Sequence, residues 1–191
     1  MAEKKYTPMM MHYIKLKEEN PDSILFYRLG DFYEMFFEDA KIASQELNLV
    51  LTGRSAGVEE KVPMCGIPYH AANSYIQRLV KKGYKVAICE QLSDPSQSKG
   101  LVDRGIIKII TPGTYMDSAL DEKQTNYMAS VSVSSFEIVV IYCELSTGEL
   151  KYQTLERSLV SLQKALMEQH VSEVVLPMSF DKRWLNAFEE M

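Results

Sequence analysis

Apolar positions in the first fifty residues change period twice. Met10, Tyr13, Ile14 and Leu16 recur at helical spacing behind Thr7-Pro8, an N-cap followed by proline at the first helical position, and Asn20-Pro21-Asp22 stops the run. Ile24 to Leu29 is then a short, mostly apolar stretch of the kind a buried strand shows. After Gly30-Asp31, the residues Tyr33, Phe36, Phe37, Ala40, Ala43 and Leu47 fall in one band at about 100° per residue, which predicts a helix over Phe32 to Leu47. In that helix Asp31 is the expected N-cap, and Glu34, three residues on, closes a capping box. Tyr33 is expected in the core, Phe32 at the margin of the apolar band and Glu34 well off it. Packing and capping account for all three residues. The other reading is that Phe32 and Glu34 project past the helix end toward a partner, because helical side chains lean toward the N-terminus.

Further along, a helix over Ala71 to Lys82 ends at Gly83 and feeds a strand from Tyr84 to Cys89, and Ile106 to Ile110 reads as another strand. Alternating strands and helices indicate an α/β domain. Thr111-Pro112-Gly113 and the polar stretch Asp117 to Asn126 read as a boundary and linker. Three strands follow, Tyr127 to Val133, Glu137 to Leu145 and Glu149 to Leu155, the last two joined as a hairpin around Thr147-Gly148. A helix over Ser158 to Gln169 and a strand from Val171 to Leu176 complete a β-β-β-α-β order, the possible start of a ribonuclease-H-like sheet. The predicted division is a first domain over residues 1–113, a linker over 114–126 and a second, incomplete domain over 127–191.

Composition alters this picture in one respect. The formal charge of −5 argues against nucleic acid as a partner until it is divided. Residues 1–113 carry 15 basic against 14 acidic side chains and residues 114–191 carry 6 against 12, so the acidity belongs to the second half. The three cysteines, Cys65, Cys89 and Cys143, lie far apart without C-x-x-C spacing, so they read as reduced core residues and neither a zinc site nor a disulfide framework is expected. No charged-then-apolar leader opens the sequence and no run approaches the ~20 apolar residues of a membrane span, so a cytoplasmic protein with no membrane contact is expected. There is no G-x-G-x-x-G or G-x-S-x-G, and His12, His70 and His170 are scattered. A ribonuclease-H-like nuclease is the main enzymatic alternative, but "YMASVSV" carries no carboxylate for a metal, and Glu137 and Glu144 alone make a poor site. Another α/β enzyme is the remaining alternative; no catalytic and no metal-ligating residue is assigned.

The blocks "TPMMMHY", "LFYRLGDFYEMFFEDA", "LTGR", "VPMCGIPYHA", "VAICEQLSDPSQSKG" and "KIITPGT", in this order and spacing, resemble the N-terminal mismatch-recognition domain of the MutS family of bacterial DNA mismatch repair proteins. The likeness runs through residues 7–115. The second half, with "CELSTGEL", is more loosely similar to the start of that family's connector domain. His12 stands where relatives commonly have glutamine, and Glu144 where aspartate is usual.

The resemblance implies a mixed-sheet mismatch-recognition domain of α/β class with flanking helices, followed by a truncated ribonuclease-H-like connector. It implies that a Phe-x-Glu motif, here Phe32-Tyr33-Glu34, enters the minor groove of double-stranded DNA at a mispaired or unpaired base, with Phe32 as the wedge that kinks the duplex. Glu34 would face the acceptor edges of paired bases, and a displaced base would offer it a partner. Arg54 and Lys99 are the expected phosphate contacts; Arg78, Lys81, Lys82 and Lys85 read as a solvated run. The family's ATP- and Mg-dependent ATPase lies downstream and its G-x-x-x-x-G-K-[ST] loop is missing here, so the chain reads as an N-terminal fragment without a cofactor of its own. A MutL-type partner, a homodimer in full-length relatives and the bacterial cytosol follow from the same resemblance. With its nearly neutral first domain the fragment is expected to bind DNA weakly.

Overall fold

A computed structural model describes residues 6–93, 102–116 and 125–188. The chain divides into two compact units, residues 1–111 and 112–191.

The first unit is a six-stranded mixed sheet. Its elements are α1 (Pro8–Glu19), β1 (Ser23–Leu29), β2 (Phe32–Phe36), α2 (Phe37–Leu47), β3 (Thr52–Arg54), β4 (Val62–Pro68), a 3₁₀ turn over Tyr69–Ala71, α3 (Ala72–Val80), β5 (Lys85–Gln91) and β6 (Arg104–Ile110). The strand order is β3-β4-β2-β1-β5-β6; β1 and β5 run parallel and the other neighbours antiparallel. Strand alternation sends Leu25, Tyr27 and Phe36 to one face, where they join Met10, Tyr13 and Leu16 of α1 in a single apolar cluster with Ala87 and Cys89. Helix α2 packs on β1, β2 and β4, and α3 on β5. The intervening strand residues, Ile24, Phe26, Met35, Ile67 and Val86, are buried on that other face.

The expected helix over Phe32 to Leu47 is corrected by the structure: its first five residues are strand β2, and the helix begins at Phe37. The spacing of Tyr33, Phe36 and Phe37 suits a helix, but a strand is also compatible with the run, Tyr33 and Met35 then facing one way and Phe32, Glu34 and Phe36 the other. The turn decides between them. Leu29 pairs with Phe32 across Gly30-Asp31, and Gly30 adopts φ +57°. Positive φ at the first of two central positions is the conformation glycine permits in a tight hairpin whose twist matches the strands. No capping box forms at Asp31. Phe36 is the N-cap of α2 without a side-chain cap bond, and Glu38 and Asp39 place negative charge in its first turn. The cap at Thr7 does form, its hydroxyl accepting from Met10 N at 3.4 Å.

The second unit has β7 (Tyr127–Val133), β8 (Glu137–Glu144), β9 (Glu149–Glu156), α4 (Leu159–Glu168), β10 (Val171–Val175) and a 3₁₀ turn over Lys182–Ala187. Its sheet order is β10-β7-β8-β9, with β10 parallel to β7 and the meander β7-β8-β9 antiparallel. Leu162 and Leu166 of α4 and the ring of Trp184 cover one face, over Tyr127, Ala129, Val131, Ile138, Val140 and Tyr142. Gly113 N–H donates to the Glu173 carboxylate at 3.0 Å and Asn126 Nδ2 to the Pro112 carbonyl at 2.8 Å, which ties residues 112–113 to this unit.

Candidate functional site

The β1–β2 hairpin carries five aromatic rings, and four of them are buried: Phe26, Tyr27 and Phe36 completely, Tyr33 to 7% exposure. The fifth, Phe32, stands next to the turn and is 48% exposed. Strand alternation explains the contrast. Phe32, Glu34 and Phe36 share the α1 face of the sheet; α1 covers Phe36 at one end and leaves Phe32 uncovered at the other. Tyr33 points to the opposite face, so its assignment to the core is correct although its element was a helix in expectation.

The tip is braced from that opposite face. Tyr33 donates its hydroxyl to Glu90, which also pairs with Arg28 at 3.3 Å. Arg28 Nε donates to the Gly30 carbonyl at 2.5 Å, and its guanidinium covers the Tyr69 ring at 3.7 Å. Burial, reinforced by the hydrogen bond to Glu90, pushes the Tyr33 hydroxyl up to about 12.

On the face of Phe32, Glu34 lies beside Tyr27 in the register and accepts a charged hydrogen bond from Arg54. Phe32, Glu34 and Arg54 therefore form one constellation, although Arg54 comes from β3, twenty residues away. Lys99 lies outside the described residues. Sequence reasoning missed Arg104, whose guanidinium stands 5.4 Å from the Tyr27 ring centroid while its Nε donates to the Arg28 carbonyl at 2.8 Å. It also missed the role of His12, whose Nδ1 meets the Tyr27 hydroxyl at 2.9 Å. Burial, with Arg104 next, lowers the His12 pKa; burial raises that of Tyr27 to about 12. Neither residue could be found from local sequence, because β5 and β6 place Arg104 against β1 only in the assembled sheet. Of the basic run, Lys82 pairs with Glu46 at 2.5 Å, and Arg78 approaches the Glu46 carbonyl at 3.4 Å.

Chemically, the constellation offers a stacking ring, an acceptor and two cations on one sheet face. Among the described residues no cluster of three metal-ligating side chains exists, and no helix is long and apolar enough to cross a membrane. Cys65 and Cys89 are buried free thiols, and burial raises both to about 12.

The family model for MutS domain I matches residues 7–119, which include the hairpin and Arg54. The chain belongs to the MutS family. Among curated relatives, the DNA mismatch repair protein MutS of Clostridium botulinum strain 657 is 65% identical over 144 residues, 75% of this chain and 16% of that protein. That of Clostridium kluyveri strain ATCC 8527 is 51% identical over 189 residues, 97% of this chain and 22% of that protein. The chain thus spans about a fifth of the length of these MutS relatives. The mixed α/β sheet of the first unit, with its flanking helices, fits a MutS domain I.

Proposed function

We propose that this chain is the mismatch-recognition part of a DNA mismatch repair protein, with Phe32 as a wedge inserted into the minor groove at a mispaired or unpaired base. The observation that carries the reading is the 48% exposure of Phe32 on a hairpin whose other rings are buried and whose tip is braced from behind. A fixed, exposed ring suits stacking: an aromatic side chain gains about 1–3 kcal/mol on a base, while unstacking costs a few kcal/mol per step and least where pairing is defective. The wedge loses on intact duplex and breaks roughly even at a mismatch, so discrimination follows the deformability of the DNA. Glu34 adds to it, because a correctly paired base shows it acceptors and a displaced base can present an N–H. Arg54 and Lys99 serve as phosphate contacts in this reading.

The chain acts as a binding module and not as an enzyme; ATP and Mg belong to the remainder of the longer relatives, as do the homodimer and MutL-type contacts. The order β10-β7-β8-β9, with edge strand β10 parallel to its neighbour β7, supports reading the second unit as the beginning of a ribonuclease-H-like connector. The relatives' name supports a place in the bacterial cytosol. The test is binding of this chain at low salt to labelled duplexes with and without a mismatch. Phe32→Ala is expected to abolish any preference for the mismatch, and a variant that still discriminates overturns the wedge.

A further inference from the structure

The carboxylate of Glu34 is engaged from within the chain. Arg54, on β3, extends across β4 and donates from Nη1 to Glu34 Oε2, its guanidinium 6.0 Å from the centroid of the buried Phe36 ring. Gly66, opposite Glu34 in the register, leaves room for the Glu34 side chain: a Cβ there would stand 3.3 Å from the Tyr33 carbonyl oxygen and 3.5 Å from Glu34 Cγ. The Glu34 side chain is 16% exposed and that of Arg54 37%, so Arg54 is the member of the pair that an incoming anion reaches first. An arginine can satisfy a carboxylate or a phosphate with the same donors, and it favours whichever leaves fewer charges without partners.

Resting on the reading of the Phe32 hairpin as a DNA contact, we propose that Arg54 is a specificity-determining residue: Glu34 disfavours matched duplex by holding Arg54 back from the phosphates, and a displaced base releases it. Each of the two groups has two possible partners. On matched duplex, Arg54 reaches a phosphate only by leaving Glu34 against the acceptor atoms N3 and O2 of the minor groove. At a mismatch, an unpaired base N–H replaces Arg54 on Glu34, and Arg54 turns to the backbone with no charge left unpaired. Matched duplex therefore receives one phosphate contact fewer than mismatched duplex, from the same protein.

A simple repulsion between Glu34 and DNA predicts something different, because it acts whether or not Arg54 is present. Wild type, Glu34→Gln, Arg54→Gln and the double variant of this chain are compared for binding to matched and mismatched duplex by fluorescence anisotropy over a range of salt. Glu34→Gln is expected to tighten matched-duplex binding about fivefold and to steepen its logarithmic salt dependence by about one phosphate contact. In the Arg54→Gln background, the same change is expected to leave matched-duplex affinity within twofold. Equal tightening in both backgrounds overturns the proposal in favour of direct repulsion, and an unaltered salt slope in Glu34→Gln overturns it without requiring the Arg54 variant to fold. Absence of any mismatch preference in wild type would instead overturn the reading of the site itself, so the two failures are distinct.

Discussion

The guanidinium of Arg28 lies over the ring of Tyr69, 3.7 Å from its centroid. Arg28 belongs to β1 and Tyr69 to the 3₁₀ turn after β4, so this one stack joins the two sides of the hairpin that presents Phe32. The Tyr69 amide completes the junction by donating to the Asp31 carbonyl at 2.9 Å. Because Tyr69 is 44% exposed, the stack contributes on the order of 1 kcal/mol, at the lower end for a cation over a ring. Tyr69→Ala is therefore expected to leave the fold intact and loosen the tip. Hydrogen exchange should show faster exchange of the amide that donates to Asp31, with amides of the β1–β5 ladder unchanged; unchanged exchange at position 69 would remove the stack from any bracing role.

Asp39 is nearly inaccessible at 3% exposure and supports three elements at once. Its carboxylate accepts from Leu25 N at 2.9 Å and from the Tyr13 hydroxyl at 3.1 Å, and pairs with Lys17 at 2.8 Å. Removing it orphans the buried Leu25 amide, takes one partner from the Tyr13 hydroxyl, which keeps the Phe36 N–H at 3.2 Å, and leaves Lys17 without its ion-pair partner. Asp39→Ala is expected to destabilise the first unit by about 3–5 kcal/mol. Urea unfolding followed through the near-ultraviolet dichroism of the tyrosines checks this, and a loss below about 1 kcal/mol would show that the site relaxes around water.

Most of this architecture was legible in the pattern of residues, and the failures have physical causes. Thr7-Pro8, the apolar run of β1 and the meander of the second unit announce themselves locally. Strand β2 did not, because Tyr33, Phe36 and Phe37 recur at helical spacing and only the pairing of Leu29 with Phe32 reveals the strand. Strand β4 was missed because Pro63, Gly66 and Pro68 weaken its strand signal, although it lies inside the sheet between β3 and β2. At the candidate site, Phe32, Glu34 and Arg54 were named from the family resemblance. Their grouping, and the presence of Arg104 on the same face, depend on strand order and could not be read locally.

The end of α2 offers a test of backbone conformation. Asn48 adopts φ +56°, ψ +47°, the left-handed cap, with its N–H on the Ser44 carbonyl. Asparagine tolerates that region and most residues do not. Asn48→Ala is expected to cost about 1 kcal/mol and Asn48→Gly to be neutral or slightly stabilising. Thermal unfolding of the two variants measures the difference, and equal midpoints would mean that the helix end rearranges.

Glu144 closes the β8–β9 turn by turning its carboxylate back onto the chain. It accepts from Ser146 Oγ at 2.6 Å, Ser146 N at 3.3 Å and Thr147 N at 2.8 Å, and from the Thr147 hydroxyl, at 5% exposure. The Ser146 and then the Thr147 hydroxyl hold its pKa down from 4.5 to about 2. A carboxylate whose pKa is depressed by folding stabilises the native state fully above its unfolded value and loses that contribution as pH falls toward the folded one. The window is therefore from about pH 4.5 down to about pH 2. Glu144→Gln is expected to lower the stability of the second unit by about 1–2 kcal/mol at pH 7, allowing for screening by water at the turn. Trp184, the chain's single tryptophan, is buried in that unit and reports its unfolding selectively. Urea midpoints from its fluorescence should differ between wild type and variant by the same amount at pH 7 and pH 5, and the difference should shrink progressively below pH 4. A gap that persists undiminished at pH 2.5 would locate the effect in shape or packing and not in the charge of Glu144.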